Sequence, residues 1–505
     1  MASGPHPVER LVSLTGLSHR SVMAVLKRLR PWLTVDESGY RLGAAMPSTP
    51  ALPLRGPHEA SLGRATEGGE SDEERRESEE AVLRVVSGLV DGAPARRRPL
   101  DHVAATPDTC LRRATFLASS YWLKGAHVVF LGDHDLTSLA LGLLRADARL
   151  SVVDVDDGLL EYVVRAGSRL GVEVDCWFAD LRLGLPPALR ESADLVFSDP
   201  PYTPEGMRLF AGRGCQALRR DERSRLLLCY GYGERQPALG LKVQAVLHQL
   251  RLLLVEVHPQ FNRYAGAQAI GGASSLYVTR PVPVTWKLVD RETAATSRIY
   301  SHGPESIESG DSRLPDVLGS CIVQPVPVAE LWRLCERHVA ARPNRRPTLP
   351  EVAAVDLREA PELAPRLLLT NRIRRLQLVL PNPDANRLLD AAAWQAGFFG
   401  SAYDLRGLGS CGGLTVVEAE GHQRAVAGAA ALARHLIHHP AAALGGALRE
   451  ALTRAGHGLT QNQARELMSR YPAIETRLGA RAADLPLHAL RQVAELLPDL
   501  ADGVA

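Results

Sequence analysis

Between residues 127 and 279 the chain alternates short apolar runs with longer segments in which apolar residues recur every three or four positions. Short apolar runs bounded by turns are typical of buried strands, and the longer periodicity is typical of amphipathic helices. The pattern predicts, in order, strand 127–131, helix 136–144, strand 150–153, helix 158–170, strand 173–178, strand 194–197, helix 204–218, strand 225–230, helix 237–249, and strands 251–257 and 274–279. Strands separated by helices indicate a parallel, doubly wound α/β sheet, and the last two strands fit an antiparallel pair that closes it.

A smaller basic segment precedes this sheet. Residues 8–14 and 19–29 have helical periodicity, and residues 32–35 and 40–42 flank a turn, which together predict a winged helix-turn-helix within residues 1–45. Six basic residues against three acidic ones would suit a DNA reader. The second helix has few polar residues suited to reading bases, so we favour a role in dimerisation or in covering a substrate.

The rest of the chain divides by composition. Residues 46–100 are rich in Pro, Gly, Ser and then Glu, and are expected to form a linker and a connecting helix. The α/β domain is assigned to 101–285, a mixed α/β region to 286–420 and a helical tail to 421–505. A histidine cluster in the tail (His435, His438 and His439) has no Cys or acid close in sequence and is interpreted as a polar helix face, so no metal site is predicted.

Charge and composition exclude several classes of protein. The 59 Lys and Arg nearly cancel the 57 Asp and Glu among 505 residues, so no overall field attracts nucleic acid or an anionic membrane. The apolar runs are too short to span a membrane, and the amino terminus does not resemble an export signal. Seven scattered cysteines without a C-x-x-C pair are expected to be reduced and mostly buried. We therefore expect a soluble, cytoplasmic protein without specific nucleic-acid or membrane binding.

Acidic residues follow the predicted strands of the sheet. In doubly wound sheets the ligand lies at the carboxyl ends of the strands, where these residues would meet. An acid about 20 residues after the first loop is where a ribose diol is bound, which makes Asp154 the ribose candidate. Asp180 follows the third strand, where the adenine amino group of a nucleoside would lie.

The loop after the first strand, Gly132-Asp133-His134-Asp135, is unusual for a nucleotide-binding turn. Such turns normally present glycines and backbone N–H groups to an anion. Here Asp133 and Asp135 would repel a carboxylate or pyrophosphate and attract an ammonium group. The loop is thus predicted to bind the cationic end of a donor.

The tetrapeptide Asp199-Pro200-Pro201-Tyr202 follows the fourth predicted strand. It is typical of enzymes that alkylate an amine with a sulfonium donor. The prolines fix the turn, the aspartate can orient the attacking N–H and take its proton, and the tyrosine ring can line the amine pocket. We predict that Asp199 and Tyr202 are catalytic.

Three longer stretches carry a resemblance to a known family. They are 132–140, 198–206 continuing to Arg213-Gly214, and Asn262-Arg263-Tyr264 with the following residues to Tyr277. Together they resemble the branched-chain polyamine synthases, or bis(aminopropyl)spermidine synthases, over roughly residues 8–285. The resemblance implies a methyltransferase-like sheet that transfers aminopropyl groups from decarboxylated S-adenosylmethionine to a polyamine. The family's first loop reads Gly-Asp-Asp-Asp, whereas position 134 here is His.

This resemblance assigns roles to the candidate residues. Gly132, Asp133, Asp135, Asp154 and Asp180 are expected to bind the donor. The acceptor amine is expected to contact six further residues: His134, Pro200, Pro201, Glu234, Asn262 and Tyr264. No metal is expected at this site, and a homodimer is the expected assembly.

Two alternatives remain open. An S-adenosylmethionine-dependent N-methyltransferase acting on an amine or a nucleic-acid base would use the same sheet and the same Asp-Pro-Pro-Tyr motif. His134 favours this alternative because an imidazolium would offset the loop acids. A DNA-binding regulator with a degenerate catalytic domain is the second alternative, against which the intact motif at Asp199 argues.

Overall fold

The architecture comes from a computed structural model of the chain. It describes residues 5–15, 19–36, 38–42, 72–95, 97, 100–145, 147–232, 237–265, 272–290, 299, 316–319, 322–340, 345–390, 392–454 and 459–503. Glu234, most of the expected linker and much of 286–321 lie outside these residues.

The amino-terminal segment contains two helices followed by an antiparallel hairpin. These elements are α1 (Val8–Thr15), α2 (His19–Leu29), β1 (Leu33–Asp36) and β2 (Gly39–Leu42). Leu11, Val22 and Leu26 form a small core of their own beneath them. The expected helices and hairpin are present, and their function as a winged helix-turn-helix remains a prediction.

The central α/β domain has the alternation that the apolar pattern predicts. Its elements are α3 (Asp72–Gly92), β3 (Ala104–Ala105), α4 (Pro107–Ser120), β4 (His127–Leu131), α5 (Thr137–Leu144), β5 (Arg149–Asp154), α6 (Asp157–Leu170), β6 (Val174–Phe178), β7 (Leu195–Ser198), α7 (Pro204–Ala217), β8 (Arg225–Tyr230), α8 (Pro237–Gln249), β9 (Leu253–Ala265), β10 (Ala273–Arg280) and α9 (Pro283–Val289). Most predicted boundaries lie within one or two residues of these. β9 is longer than expected because it continues to pair with β10 and β3 beyond residue 257.

The eight strands of this domain form one sheet in the order β3-β9-β10-β8-β7-β4-β5-β6. Strands β4 to β8 are parallel, and β10 pairs antiparallel with both β8 and β9. Both faces of β4 are buried, because Val128 and Phe130 enter one hydrophobic core while Val129 and Leu131 enter another. The methyltransferase-like α/β fold, with its antiparallel closing pair, is therefore confirmed.

The carboxy-terminal part combines a second sheet with helices. Its elements are α10 (Asp316–Gly319), α11 (Val328–Ala340), β11 (Val352–Asp356), α12 (Ala364–Thr370), β12 (Arg375–Pro381), α13 (Asn382–Leu389), α14 (Trp394–Gly400), β13 (Tyr403–Cys411), β14 (Leu414–Gly421), α15 (Gly428–His438), α16 (Leu444–Arg454), α17 (Gln461–Ser469), α18 (Pro472–Glu475) and α19 (Leu487–Asp502). The sheet order is β11-β12-β14-β13.

This carboxy-terminal part shares a hydrophobic core with the α/β domain. The cluster that contains Phe130 and Leu160 continues without interruption to Leu368 and Leu436. Arg366, fully buried, crosses the boundary with its guanidinium 3.8 Å from the Phe178 ring centre and 2.9 Å from the Asp157 carboxylate. The two regions consequently stabilise each other.

Two expectations about the chain's environment can be compared with the structure. Among the described residues, every helix is either too short or too polar to cross a membrane. The six cysteines within those residues are free thiols, and four of them are buried. The burial of these four agrees with the expectation that the cysteines are mostly buried.

Candidate functional site

A cleft lies at the carboxyl ends of β4, β5, β6 and β7, where a doubly wound sheet binds its ligands. It contains about 560 Å³ of space, part of it open to solvent. Fifteen residues line it: Leu100, Asp101, His102, Gly132, His134, Val153, Asp154, Val155, Ala179, Asp180, Leu181, Asp199, Pro201, Phe210 and Ile299. Of the thirteen candidate site residues, six are in this lining, and they come from four separate strand ends.

Asp154 ends β5 and lines the cleft in a fixed orientation. One carboxylate oxygen accepts from the Asp156 backbone N–H at 2.9 Å and the other from the Asp133 N–H at 3.3 Å. Burial raises the pKa of Asp154 above its ordinary value. Gly132, opposite, has φ of 73°, a conformation that favours glycine and brings the loop backbone close to this carboxylate.

Asp133 is buried and is not among the residues that line the described cleft. Its carboxylate accepts from the backbone N–H of Ser138 at 3.2 Å and from the Ser138 hydroxyl at 2.5 Å, so it caps the start of α5. Burial raises its pKa to about 7. The described contacts assign this carboxylate to the start of α5, and its expected contact with a donor ammonium stays a prediction.

Asp135 is likewise turned away from the cleft. It accepts from Arg113 Nη1 at 2.9 Å and from the Ala105 backbone N–H at 2.9 Å. Burial alone would raise its pKa, but the charges of His134 and Arg113 outweigh burial and lower it. Asp135 is thus already paired with a buried guanidinium, and its expected contact with the donor stays a prediction.

His134 is the member of the loop whose side chain faces the cleft. Its ring stacks on His102 with 4.5 Å between centroids, and Nε2 donates to the Val103 carbonyl at 2.9 Å. Burial would lower the pKa of His134, but the charges of Asp135 and Asp199 outweigh burial and raise it. An imidazole that is readily protonated therefore stands where the resembled family has an acid.

The Asp199-Pro200-Pro201-Tyr202 turn places its carboxylate at the cleft. The Tyr202 hydroxyl lies 3.0 Å from Asp199 Oδ1, and the Tyr264 hydroxyl donates to Oδ2 at 2.7 Å. Burial raises the pKa of both tyrosines well above the ordinary value, so both hydroxyls stay protonated. Pro201 lines the cleft, whereas Pro200 is buried behind it. The next residue, Thr203, caps α7 by accepting from the Gly206 N–H at 2.9 Å, which fixes the end of the turn.

Arg113 is a site residue that the sequence interpretation missed. It projects from α4, is only 1% exposed, and donates from Nη2 to Asp199 at 2.6 Å and to the Tyr264 hydroxyl at 2.9 Å. Its Nη1 holds Asp135, so one guanidinium joins the two acidic motifs. The sequence contains one indication of this role. Residue 113 lies on the same helix face as the apolar positions 110, 114 and 117, and an arginine on a buried face needs polar partners there.

Asn262 and Tyr264 support this arrangement from β9. Asn262 is fully buried, accepts from Arg113 Nε at 2.8 Å and donates to the Ser274 hydroxyl at 2.9 Å. Neither side chain is in the described cleft lining. The amide of Asn262 holds Arg113, and the expected contact of Asn262 with the acceptor amine stays a prediction. Tyr264 acts on the cleft through Asp199.

Asp180 follows β6, which β4 and β5 separate in the sheet from β7 and Asp199. Both of its carboxylate oxygens accept from Arg182, with Nη2 at 2.6 Å and Nε at 2.9 Å. This ion pair neutralises the carboxylate, while the neighbouring Val155 and Leu181 provide apolar surface. Such a combination suits a planar, uncharged ring better than a second cation.

Comparisons with known proteins were made for the whole chain. Residues 81–289 match the family model described as the branched-chain polyamine synthase A C-terminal domain. An uncharacterized protein of Methanocaldococcus jannaschii is 32% identical over 212 residues, which are 41% of this chain and 52% of that protein. A Thermococcus kodakarensis protein named N(4)-bis(aminopropyl)spermidine synthase is 31% identical over 178 residues, or 34% of this chain and 49% of that protein.

The match to each of these relatives spans about half of the relative's length. A solved structure of a Thermus thermophilus branched-chain polyamine synthase mutein, in complex with N4-aminopropylspermidine and 5'-methylthioadenosine, is 24% identical. That match covers 56% of this chain and 83% of that one, with a TM-score of 0.38. The family match includes the acidic loop, the Asp199 turn and Arg113. Residues 81–289 of this chain are therefore similar to the C-terminal domain of the branched-chain polyamine synthases.

Proposed function

We propose that the chain is an aminopropyltransferase that uses decarboxylated S-adenosylmethionine and a polyamine-like amine, and that it releases methylthioadenosine. The observation that carries the proposal is the Asp199-Pro200-Pro201-Tyr202 turn, which opens into the cleft of a domain that matches the polyamine synthase family model. Relatives that match this region are named N(4)-bis(aminopropyl)spermidine synthase.

The donor nucleoside is proposed to lie across the ends of β5 and β6. Asp154 would accept hydrogen bonds from the ribose diol, since its oxygens are held at the cleft surface by backbone N–H groups. The adenine ring would lie against Val155 and Leu181, near the Asp180 and Arg182 pair. The sulfonium end would then point toward Asp199.

Asp199 is proposed to act on both substrates. It faces the sulfonium end of the donor and receives the proton of the acceptor amine. The acceptor nitrogen forms a bond to the carbon next to the sulfonium, and the electron pair of the breaking C–S bond goes to sulfur. The excess proton on the alkylated nitrogen then passes to Asp199 or, through it, to water. Arg113 and the two tyrosines hold the carboxylate in one orientation, so that most of the acceleration comes from positioning.

Methyl transfer from S-adenosylmethionine is a second candidate because of one observation. The carboxylates of Asp133 and Asp135 are turned inward, whereas His134, whose pKa is raised, faces the cleft. A protonated imidazole would tolerate the carboxylate of S-adenosylmethionine. A homodimer, a cytoplasmic location and the absence of specific nucleic-acid binding remain predictions.

Calorimetric titration of the full chain separates the two candidates. With Asp199 and Asp154 facing the ligand, we expect the decarboxylated donor to bind at least ~10-fold more tightly than S-adenosylmethionine at pH 8, where His134 is less protonated. Methylthioadenosine should compete for the same site. Tighter binding of S-adenosylmethionine would overturn the aminopropyl assignment and support methyl transfer.

A further inference from the structure

Two histidines and a glutamate meet at the junction of α15 and α16, in the carboxy-terminal helical part. His435 lies in the last turn of α15 and His439 directly follows the helix, and their rings stack with 3.8 Å between centroids. Glu450 reaches them from α16, with Oε2 3.8 Å from His435 Nε2. Sequence alone suggested a polar helix face because no acid was near. In the folded chain the acid is Glu450 of α16, 15 residues after His435.

The tautomer of His439 is fixed by its backbone. Its Nδ1 donates to the carbonyl of His435 at 2.8 Å, since a carbonyl can only accept. In the neutral ring this leaves the lone pair on Nε2. A histidine whose other nitrogen donates to a carbonyl is the usual arrangement in metal sites, because that bond also fixes the ring orientation.

His435 has a buried nitrogen that lacks a partner. Its Nε2 is inaccessible to solvent and makes no hydrogen bond to any of the described residues. A buried polar atom without a partner is costly, and such an atom in a native fold calls for a missing water or ion.

Glu450 has one oxygen to spare. Its Oε1 is paired with Arg454 at 2.6 Å, which positions the side chain, and its Oε2 is the oxygen nearer His435. One ligand atom from each of His435, His439 and Glu450 lies within 4.8 Å of the other two. Tetrahedral zinc, with bonds of about 2.0 to 2.2 Å to imidazole and carboxylate, needs ligand atoms about 3.3 Å apart. Small side-chain rotations would close the site.

We propose that His435 Nε2, His439 Nε2 and Glu450 Oε2 bind a Zn²⁺ ion, with water as the fourth ligand. Imidazole and carboxylate ligands in this number are those that zinc prefers over Mg²⁺ or Ca²⁺. None of the three residues lines the proposed aminopropyltransferase cleft. The ion would tie the end of α15 to α16 and thereby stabilise the helical part, a role separate from the transfer reaction.

The test is zinc titration of the full chain after removal of metal with a chelator. We expect one strong site per chain and a melting temperature that rises with zinc concentration. His439→Ala and Glu450→Gln should each weaken binding by at least ~10-fold. His438→Ala is the matched control, because His438 lies on the same helix but outside the cluster, and it should bind zinc as the unchanged protein does.

Circular dichroism and methylthioadenosine binding check that each variant is folded. Should a variant fail to fold, Co²⁺ added to the unchanged protein gives a second measurement. The proposal requires visible d–d absorption without the near-ultraviolet thiolate band of a cysteine site. Absence of a stoichiometric zinc site, a thiolate band, or equal loss of binding in His438→Ala would each overturn it.

Discussion

Asp199 is the residue on which the proposed chemistry depends most. It lines the cleft and is held by Arg113, Tyr202 and Tyr264, three donors that leave its carboxylate at the end of β7 in a single orientation. Asp199→Asn should lower turnover by at least ~100-fold, because an amide cannot receive a proton. Donor affinity should remain within a few-fold of the original value.

The measurement compares kcat with methylthioadenosine affinity. Asp221→Asn is a suitable control, since Asp221 lies on the surface in a pair with Arg223. Turnover of Asp199→Asn close to that of the control would remove Asp199 from the mechanism.

Asp133 allows a test of the loop geometry, in which its carboxylate bonds to Ser138. Because burial raises its pKa to about 7, the folded protein holds a proton there that the unfolded chain releases near pH 4. The contribution of Asp133 to the free energy of unfolding therefore decreases as the pH rises from about 4 to about 7. Asp133→Asn keeps the cap on Ser138 without the charge, so we expect unchanged donor affinity and an equal or higher melting temperature at pH 8.

Thermal melts from pH 4 to pH 8 and a donor titration make this comparison. A large loss of affinity for the decarboxylated donor in Asp133→Asn, with the fold intact, would show instead that Asp133 binds the donor.

At the scale of elements, α4 determines the geometry of the site although it contributes nothing to the cleft lining among the described residues. It begins at Pro107 after the Thr106 cap and buries Arg113 between two carboxylates. Removing one partner of a buried ion pair costs roughly 3 to 5 kcal/mol. Arg113→Met should therefore lower stability by about that amount and lower kcat, while Arg112→Met, the exposed neighbour, should change neither substantially.

Denaturant unfolding and steady-state kinetics give both quantities. If Arg113→Met kept its stability and its kcat, the guanidinium would not be holding Asp135 and Asp199 in place.

Some elements of the fold and the site could be predicted from the sequence, and others could not. The inner parallel strands were predictable because both of their faces are buried, which leaves continuous apolar runs such as residues 128–131. The side-chain directions in the Asp133 loop were not predictable, since they depend on whether Ser138 and Arg113 approach from α5 and α4. Glu450 could not be predicted as a partner of His435 and His439 either, because its position depends on how α16 packs against α15.

At the scale of the whole molecule, the carboxy-terminal part is joined to the α/β domain through a common core. Arg366 is the clearest link, because its fully buried guanidinium donates to Asp157 and to the Leu485 carbonyl, each at 2.9 Å. Arg366→Ala would leave Asp157 without this partner and expose a cavity beside Phe178. We expect a loss of roughly 3 kcal/mol in the free energy of unfolding.

Calorimetry should show one cooperative transition in the original protein, displaced to lower temperature in Arg366→Ala. Arg374→Ala, an exposed arginine paired with Glu351, is the control. Two separate transitions in the original protein would contradict the common core.

The central claim is aminopropyl transfer, and product analysis tests it most directly. The full chain is incubated with spermidine and an equal mixture of decarboxylated S-adenosylmethionine and S-adenosylmethionine. The nucleosides and amines are then separated, and mass spectrometry identifies and quantifies them. Our account predicts methylthioadenosine together with spermidine that has gained an aminopropyl group, in amounts that Asp199→Asn reduces by at least ~100-fold. S-adenosylhomocysteine and a methylated amine, without methylthioadenosine, would contradict it.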